Sequence, residues 1–86
     1  MLDNIRVYYN LSLLYDKIKE QNLAEKALIN GLKIETYNES ILYALAFHYY
    51  KYGQIDKAKN MAIRLIQLYP NNTQYANFLR QLNSKG

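Results

Sequence analysis

His48 is the sole histidine of this 86-residue chain, which contains no cysteine. One imidazole cannot supply a His pair for a metal, and a chain without thiols has no disulfide, cysteine zinc site or thiol nucleophile. His48 stands between Phe47 and Tyr49 inside a helical pattern, so it reads as a packed structural side chain. Asp16 and Glu20 are spaced i,i+4 like a carboxylate pair, but Lys17 and Lys19 accompany them. That mixture makes a solvated, salt-bridged helix face and not an acid–base site. There is no Gly-rich phosphate loop and no nucleophile elbow. Asn10, Asn38 and Asn71 each open an N-x-S/T triplet, yet the chain holds ten Asn and chance accounts for them. The expectation is no catalysis, no cofactor and no metal. What the chain does hold is aromatic contact surface, ten Tyr and two Phe.

Composition limits the scaffold that carries those rings. Half of the residues are apolar, which argues against wholesale disorder. Three Gly and one Pro are too few for the turns of an all-β fold. No apolar stretch approaches the ~20 residues of a membrane span, and residues 1–15 show no secretory-signal pattern. The net charge of +4 is uneven. Residues 1–56 hold six basic and seven acidic residues, whereas residues 57–86 hold five basic residues and no acid. Those five (Lys57, Lys59, Arg64, Arg80 and Lys85) are scattered, which suits a solvated face better than a nucleic-acid patch.

Helical spacing runs the length of the chain. Ile5, Tyr8, Leu11, Tyr15 and Ile18 form one stripe; Leu23, Ala24, Ala27, Leu28, Gly31 and Leu32 form a second. A third stripe is Leu42, Leu45, Ala46, Tyr49 and Tyr52, stopped by Gly53 at a C′ position. A fourth runs from Ala58 to Tyr69 and ends before Pro70, and a fifth from Tyr75 to about Leu82, with residues 83–86 fraying. The expected N-caps are Asn22, Asn38, Asp56 and Asn72 or Thr73, with Glu25 completing a capping box on Asn22. A shift of 34 residues superposes Tyr9 on Tyr43, Leu11 on Leu45, Tyr15 on Tyr49, Lys17 on Lys51, Ala24 on Ala58, Ile29 on Ile63 and Asn38 on Asn72. A fixed period of that length is the mark of stacked helical hairpins. Small residues must face each other where two helices cross closely; Ser12 with Ala24 and Ala46 with Ala58 can do so. Gly31 should let the next hairpin dock, while its counterpart Leu65 should meet a final helix offering Ala76. A buried Leu65 predicts a loss of about 2–5 kcal/mol for Leu65→Gly.

The second copy resembles a tetratricopeptide repeat. It reads Leu42-x-x-Leu45-Ala46-x-x-Tyr49, then Gly53, Ala58-x-x-x-Ala62 and Leu68-Tyr69-Pro70-Asn71-Asn72. The first copy, Tyr8-x-x-Leu11-Ser12-x-x-Tyr15 and Ala24-x-x-x-Leu28, departs at Lys19, Gln21 and Thr36, where the family has Gly, a large residue and Pro. The resemblance implies an all-α fold of five helices: two helix-turn-helix hairpins plus a C-terminal capping helix, as in a right-handed α-solenoid. Residues 1–86 then form one helical-repeat domain, with repeats 5–38 and 39–72 and a capping helix at 73–83.

It also implies a protein–protein interaction scaffold that takes a peptide or helix in a concave groove. By phase, the peptide-binding residues are Tyr9, Leu13, Lys17, Tyr43, Phe47, Tyr50 and Lys51, with Arg6, Asp16 and Ser40 beside them and Gln74, Asn77 and Gln81 on the capping helix. The carboxylate clamp of the family's chaperone binders falls on Tyr9, Leu13, Ala44, Gln74 and Phe78, which lack its donors, so an apolar or mixed ligand is expected. Arrays normally need about three repeats, which suggests a fragment or small member of a larger array. Tyr8 and Ile5 are expected to face outward at the N-terminal edge and to promote self-association through that hairpin. The alternative function is an RNA or single-stranded nucleic-acid-binding helical repeat. Of the compartments, the cytoplasm suits a cysteine-free chain.

Overall fold

The computed structural model describes residues 5–85. It contains five helices, α1 (Ile5–Lys17), α2 (Gln21–Ile34), α3 (Glu39–Lys51), α4 (Ile55–Leu68) and α5 (Thr73–Lys85), and no strand among the described residues. The all-α class and the helix count therefore agree with the sequence pattern. The chain divides into two compact units, one ending at Ala44 and one beginning at Leu45, so the boundary falls inside α3.

In the first unit α1 packs along α2. Ser12 and Ala24, the small residues expected at the crossing, are both buried. Ser12 Oγ donates to the Tyr9 carbonyl at 2.7 Å, so its hydroxyl enters the contact satisfied. Gly31 is buried too, and a Cβ placed there would lie 3.3 Å from Tyr8 Cβ, 3.4 Å from Ile5 Cδ1 and 3.6 Å from Ile41 Cδ1. The missing side chain therefore admits two neighbours, α1 of the same hairpin and the start of α3. This corrects the expectation that Ile5 and Tyr8 form the outward N-terminal edge. Both turn toward α2, and the apolar residues left in solvent are Val7, Leu13 and Leu14 of α1 and Ile18 of the turn after it.

In the second unit Ala46, Ala58, Ala62 and Leu65 are fully buried. The α5 helix packs on α4, and its Tyr75, Phe78 and Leu82 are buried. Ala76, expected to receive Leu65, is exposed and does not serve that purpose. The residues that α5 buries are the large Tyr75, Phe78 and Leu82. Residues 83–85 remain helical, with Ser84 Oγ donating to the Gln81 carbonyl at 2.8 Å.

The period is visible in the backbone hydrogen bonds at the end of each first helix. Glu20 N–H donates to the Tyr15 carbonyl at 2.8 Å and Lys19 N–H to that of Asp16 at 3.0 Å. One period later Gln54 N–H donates to Tyr49 at 2.8 Å and Gly53 N–H to Tyr50 at 3.1 Å. This 6→1 and 5→2 pair is a Schellman motif, whose C′ residue must be left-handed. Gly53 has φ 79° and Lys19 has φ 67°, the one non-glycine positive φ among the described residues. The same exit thus forms where the sequence supplies no glycine.

This geometry also corrects two caps. Because the motif delivers Glu20 and Gln54 directly to the N-cap positions of α2 and α4, Asn22 and Asp56 sit one turn-step inside their helices. Neither Glu20 nor Gln54 makes a side-chain capping bond. Asn38 and Asn72 are caps as expected: Asn38 Oδ1 accepts from Ile41 N–H at 2.9 Å, and Asn72 Oδ1 from Gln74 N–H at 3.0 Å. Thr36 and Pro70 make no difference to the turn bond that follows, Asn38 N–H to Glu35 and Asn72 N–H to Tyr69, each 3.1 Å.

Candidate functional site

The first unit contributes Tyr9, Leu13, Lys17 and Tyr43 to the expected binding strip. Tyr9 and Tyr43 are half-buried, while Leu13 and Lys17 are exposed. Tyr9 lines an open cavity of about 280 Å³ together with Ile5, Arg6, Asn38, Ser40 and Ile41. Ile5 and Ile41 supply apolar wall, while Arg6, Ser40 and Tyr9 supply polar groups. Leu13, Lys17 and Tyr43 do not line it. Asn38 is held in the wall by its own bonds, accepting from Ile41 N–H and donating through Nδ2 to Glu35 Oε1 at 2.9 Å.

The second unit contributes Phe47, Tyr50 and Lys51. Here the structure joins two of the three and adds a residue that the sequence left out. The Phe47 and Tyr50 rings lie 5.9 Å apart, tilted by 46°. Tyr50 meets Phe78 of α5 edge-on at 6.0 Å. Phe78 is buried, Tyr50 half-buried and Phe47 exposed, so the three rings climb from core to surface. Centroid separations in this range with tilted or edge-on planes are favourable, at about 0.5–1.5 kcal/mol per pair beyond burial. Lys51 leaves this ladder, its Nζ lying 5.9 Å from the Tyr52 ring centroid. Gln74, Asn77 and Gln81 are exposed along α5, with Asn77 Oδ1 accepting from Arg80 Nη1 at 3.0 Å.

His48 is buried and lies against Tyr52 at 4.8 Å and Tyr49 at 6.0 Å between ring centroids. Its place is the aromatic core of the second unit. No group of three or more His, Asp or Glu side chains among the described residues is arranged to hold a metal ion. Lys57, from the acid-free stretch, places Nζ 5.4 Å from the Tyr49 ring centroid, where its charge is engaged with the scaffold.

Comparison with protein families decides what this scaffold is. The family model for the tetratricopeptide repeat matches residues 21–82, from the start of α2 to the last buried residue of α5. The chain belongs to the tetratricopeptide repeat family. No curated protein matches it. The match spans the second hairpin and the helices on either side of it in sequence, α2 and α5. As a tetratricopeptide repeat chain it is a helical-repeat module of the protein-interaction kind. No helix among the described residues is long and apolar enough to cross a membrane.

Two features of the candidate site were beyond sequence reasoning. Phe78 had a signal, since it falls one period after the half-buried Ala44 and is far larger, but a size mismatch does not say which ring it meets. Ile5 and Ile41 carry only the periodicity of core residues, and nothing in that pattern shows that they also wall a cavity.

Proposed function

We propose that the chain is a protein-interaction scaffold that takes a peptide or amphipathic helix on the concave face of the repeat. Its contacts are Tyr9, Leu13 and Lys17 of α1 and Tyr43, Phe47, Tyr50 and Lys51 of α3. The observation that carries this reading is the ladder Phe47–Tyr50–Phe78. An exposed Phe is costly to leave in water, and here it is propped by a second ring that a buried third ring holds in place. Rings of this kind offer large contact area for few rotatable bonds, so a ligand that covers Phe47 freezes little side-chain motion. The mixed wall around Tyr9 in the first unit suits the same class of ligand, partly apolar and partly hydrogen-bonding.

The test is selection of binders from a displayed random-peptide library on the immobilised chain, followed by affinity measurement on Phe47→Ala. Phe47 is exposed, so the variant keeps the fold. A loss of at least about tenfold is expected, which is 1.4 kcal/mol. Selected peptides that bind Phe47→Ala, Tyr43→Ala and Leu13→Ala as well as the parent would refute the proposal.

A further inference from the structure

The 34-residue period lets one helix face be compared at three places in the same chain. Positions 7, 41 and 75 are Val7, Ile41 and Tyr75; positions 14, 48 and 82 are Leu14, His48 and Leu82. The later residues are buried: Ile41 is 1% exposed, His48 6%, Tyr75 4% and Leu82 0%. In α1 the same two positions are 53% and 55% exposed, although both are occupied by aliphatic residues. Ile18, which completes the row, is 58% exposed. The repeat therefore builds this face for burial, and α1 presents it to solvent.

The spacing along α1 and onto Ile18, the turn residue that follows it, indicates what covers it. Val7, Leu11, Leu14 and Ile18 are separated by four, three and four residues, the step of a helix-pairing seam. Read in reverse the row has the same character, β-branched at each end and Leu at both central positions. An isologous contact demands that property, because each residue must suit its opposite number. With two such helices antiparallel, Val7 meets Ile18 of the second copy and Leu11 meets Leu14. The flanks are compatible: Lys17 comes beside Asn10 of the second copy and Tyr8 beside Tyr15, so no like charges are opposed, and the helix dipoles run in opposite senses.

We propose that α1 is a self-association surface, pairing antiparallel with α1 of a second copy through Val7, Leu11, Leu14 and Ile18. A helix of 13 residues is only about 20 Å long, so the contact is small and the dimer is weak and concentration-dependent. This face is separate from the row holding Tyr9 and Leu13, so Lys17, at its flank, is the one residue of α1 that the proposed peptide strip and the pairing contact share.

Sedimentation of the whole chain from about 10 μM to 1 mM tests this. A monomer–dimer equilibrium is expected, weakened at least about tenfold by Leu14→Glu and unchanged by Ile63→Glu, which alters an exposed residue of α4. Val7→Glu serves the same purpose should Leu14→Glu lose its helical circular dichroism. The absence of cysteine makes direction testable: Val7→Cys chains mixed with Ile18→Cys chains should cross-link to each other in preference to themselves. A parent that stays monomeric overturns the proposal, as does a dimer indifferent to Leu14→Glu or Val7→Glu, or self-linking of Val7→Cys. A monomer that gains stability when residues 5–38 are duplicated ahead of Ile5 would assign the face to a preceding hairpin and overturn it equally.

Discussion

Replacing Lys19 by Gly should stabilise the chain, and replacing Gly53 by Ala should destabilise it, by comparable amounts. Both residues occupy the C′ site of the same Schellman motif, at φ 67° and φ 79°. A side chain at left-handed φ costs about 1–2 kcal/mol relative to Gly, because Cβ crowds the following carbonyl. Gly gives back about 0.4–1 kcal/mol through the greater freedom of its unfolded chain. The difference leaves about 0.5–1 kcal/mol in favour of Lys19→Gly, or a rise of roughly 2–8 °C in Tm for a domain of this size. At Gly53 an added Cβ meets nothing within 4 Å, so Gly53→Ala carries the conformational penalty without a clash. Lys19→Ala is the control: it keeps the Cβ and the left-handed cost while removing the charged stem, and it should lie within about 0.5 kcal/mol of the parent. Urea unfolding followed by far-ultraviolet circular dichroism, with equal m-values, measures all three. A Lys19→Gly chain no more stable than Lys19→Ala would show that the left-handed geometry at Lys19 carries no strain, and the reasoning fails.

Three further outcomes follow from named contacts. Gly31→Ala gains about 0.8–1 kcal/mol of helix propensity but places Cβ 3.3 Å from Tyr8 Cβ, an atom fixed to the α1 backbone. Relief requires α1 to move, and overpacking of about 1–3 kcal/mol outweighs the gain, so a lowered urea midpoint is expected. Asn38→Ala should cost about 1 kcal/mol through loss of the bond from Ile41 N–H, while Asn22→Ala, away from the cap, should stay within about 0.5 kcal/mol; the same titrations compare them. Phe78→Leu keeps an apolar core side chain but removes the edge-on partner of Tyr50, so peptide affinity should fall although no surface residue has changed, as calorimetric titration with a selected peptide would show.

Most of the helical frame was legible in the sequence because it rests on periodicity, and periodicity is set by which residues are apolar. The caps were legible only where the side chain itself bonds. Asn38 and Asn72 do so, whereas the starts of α2 and α4 are set by the backbone motif that precedes them. That motif needs a left-handed residue, and at Lys19 local sequence opposes it, yet both backbone bonds of the motif form there. The N-terminal edge was misread for a related reason. A stripe running Ile5, Tyr8, Leu11, Tyr15 and Ile18 shows that one broad side of α1 is apolar. It does not show which part meets α2, and the answer depends on the notch left by Gly31. Lys51 shows the limit at the surface: phase gives its position on α3, but its long stem turns to the Tyr52 ring.

Under the proposed function, the aromatic residues of α3 would separate stability from recognition with one residue type. Tyr49 is buried with His48 beside it and Lys57 over its ring, so it belongs to the fold. Tyr50, the next residue, is rotated by about a quarter-turn and more on the helix and becomes the link between buried Phe78 and exposed Phe47. Its ring rests edge-on against Phe78, and under the proposed function that support is an advantage for binding. The ordering of a contact side chain costs about 0.5–1.5 kcal/mol when it must be frozen on association. At Tyr50 that cost has been met during folding through its contact with Phe78. Phe47 inherits part of this restraint while keeping an exposed face. A surface ring braced in this way can hold a partner more tightly than one of equal area on a free stem, so under the proposed function the position of Phe78, inside the core, would bear on recognition at the surface.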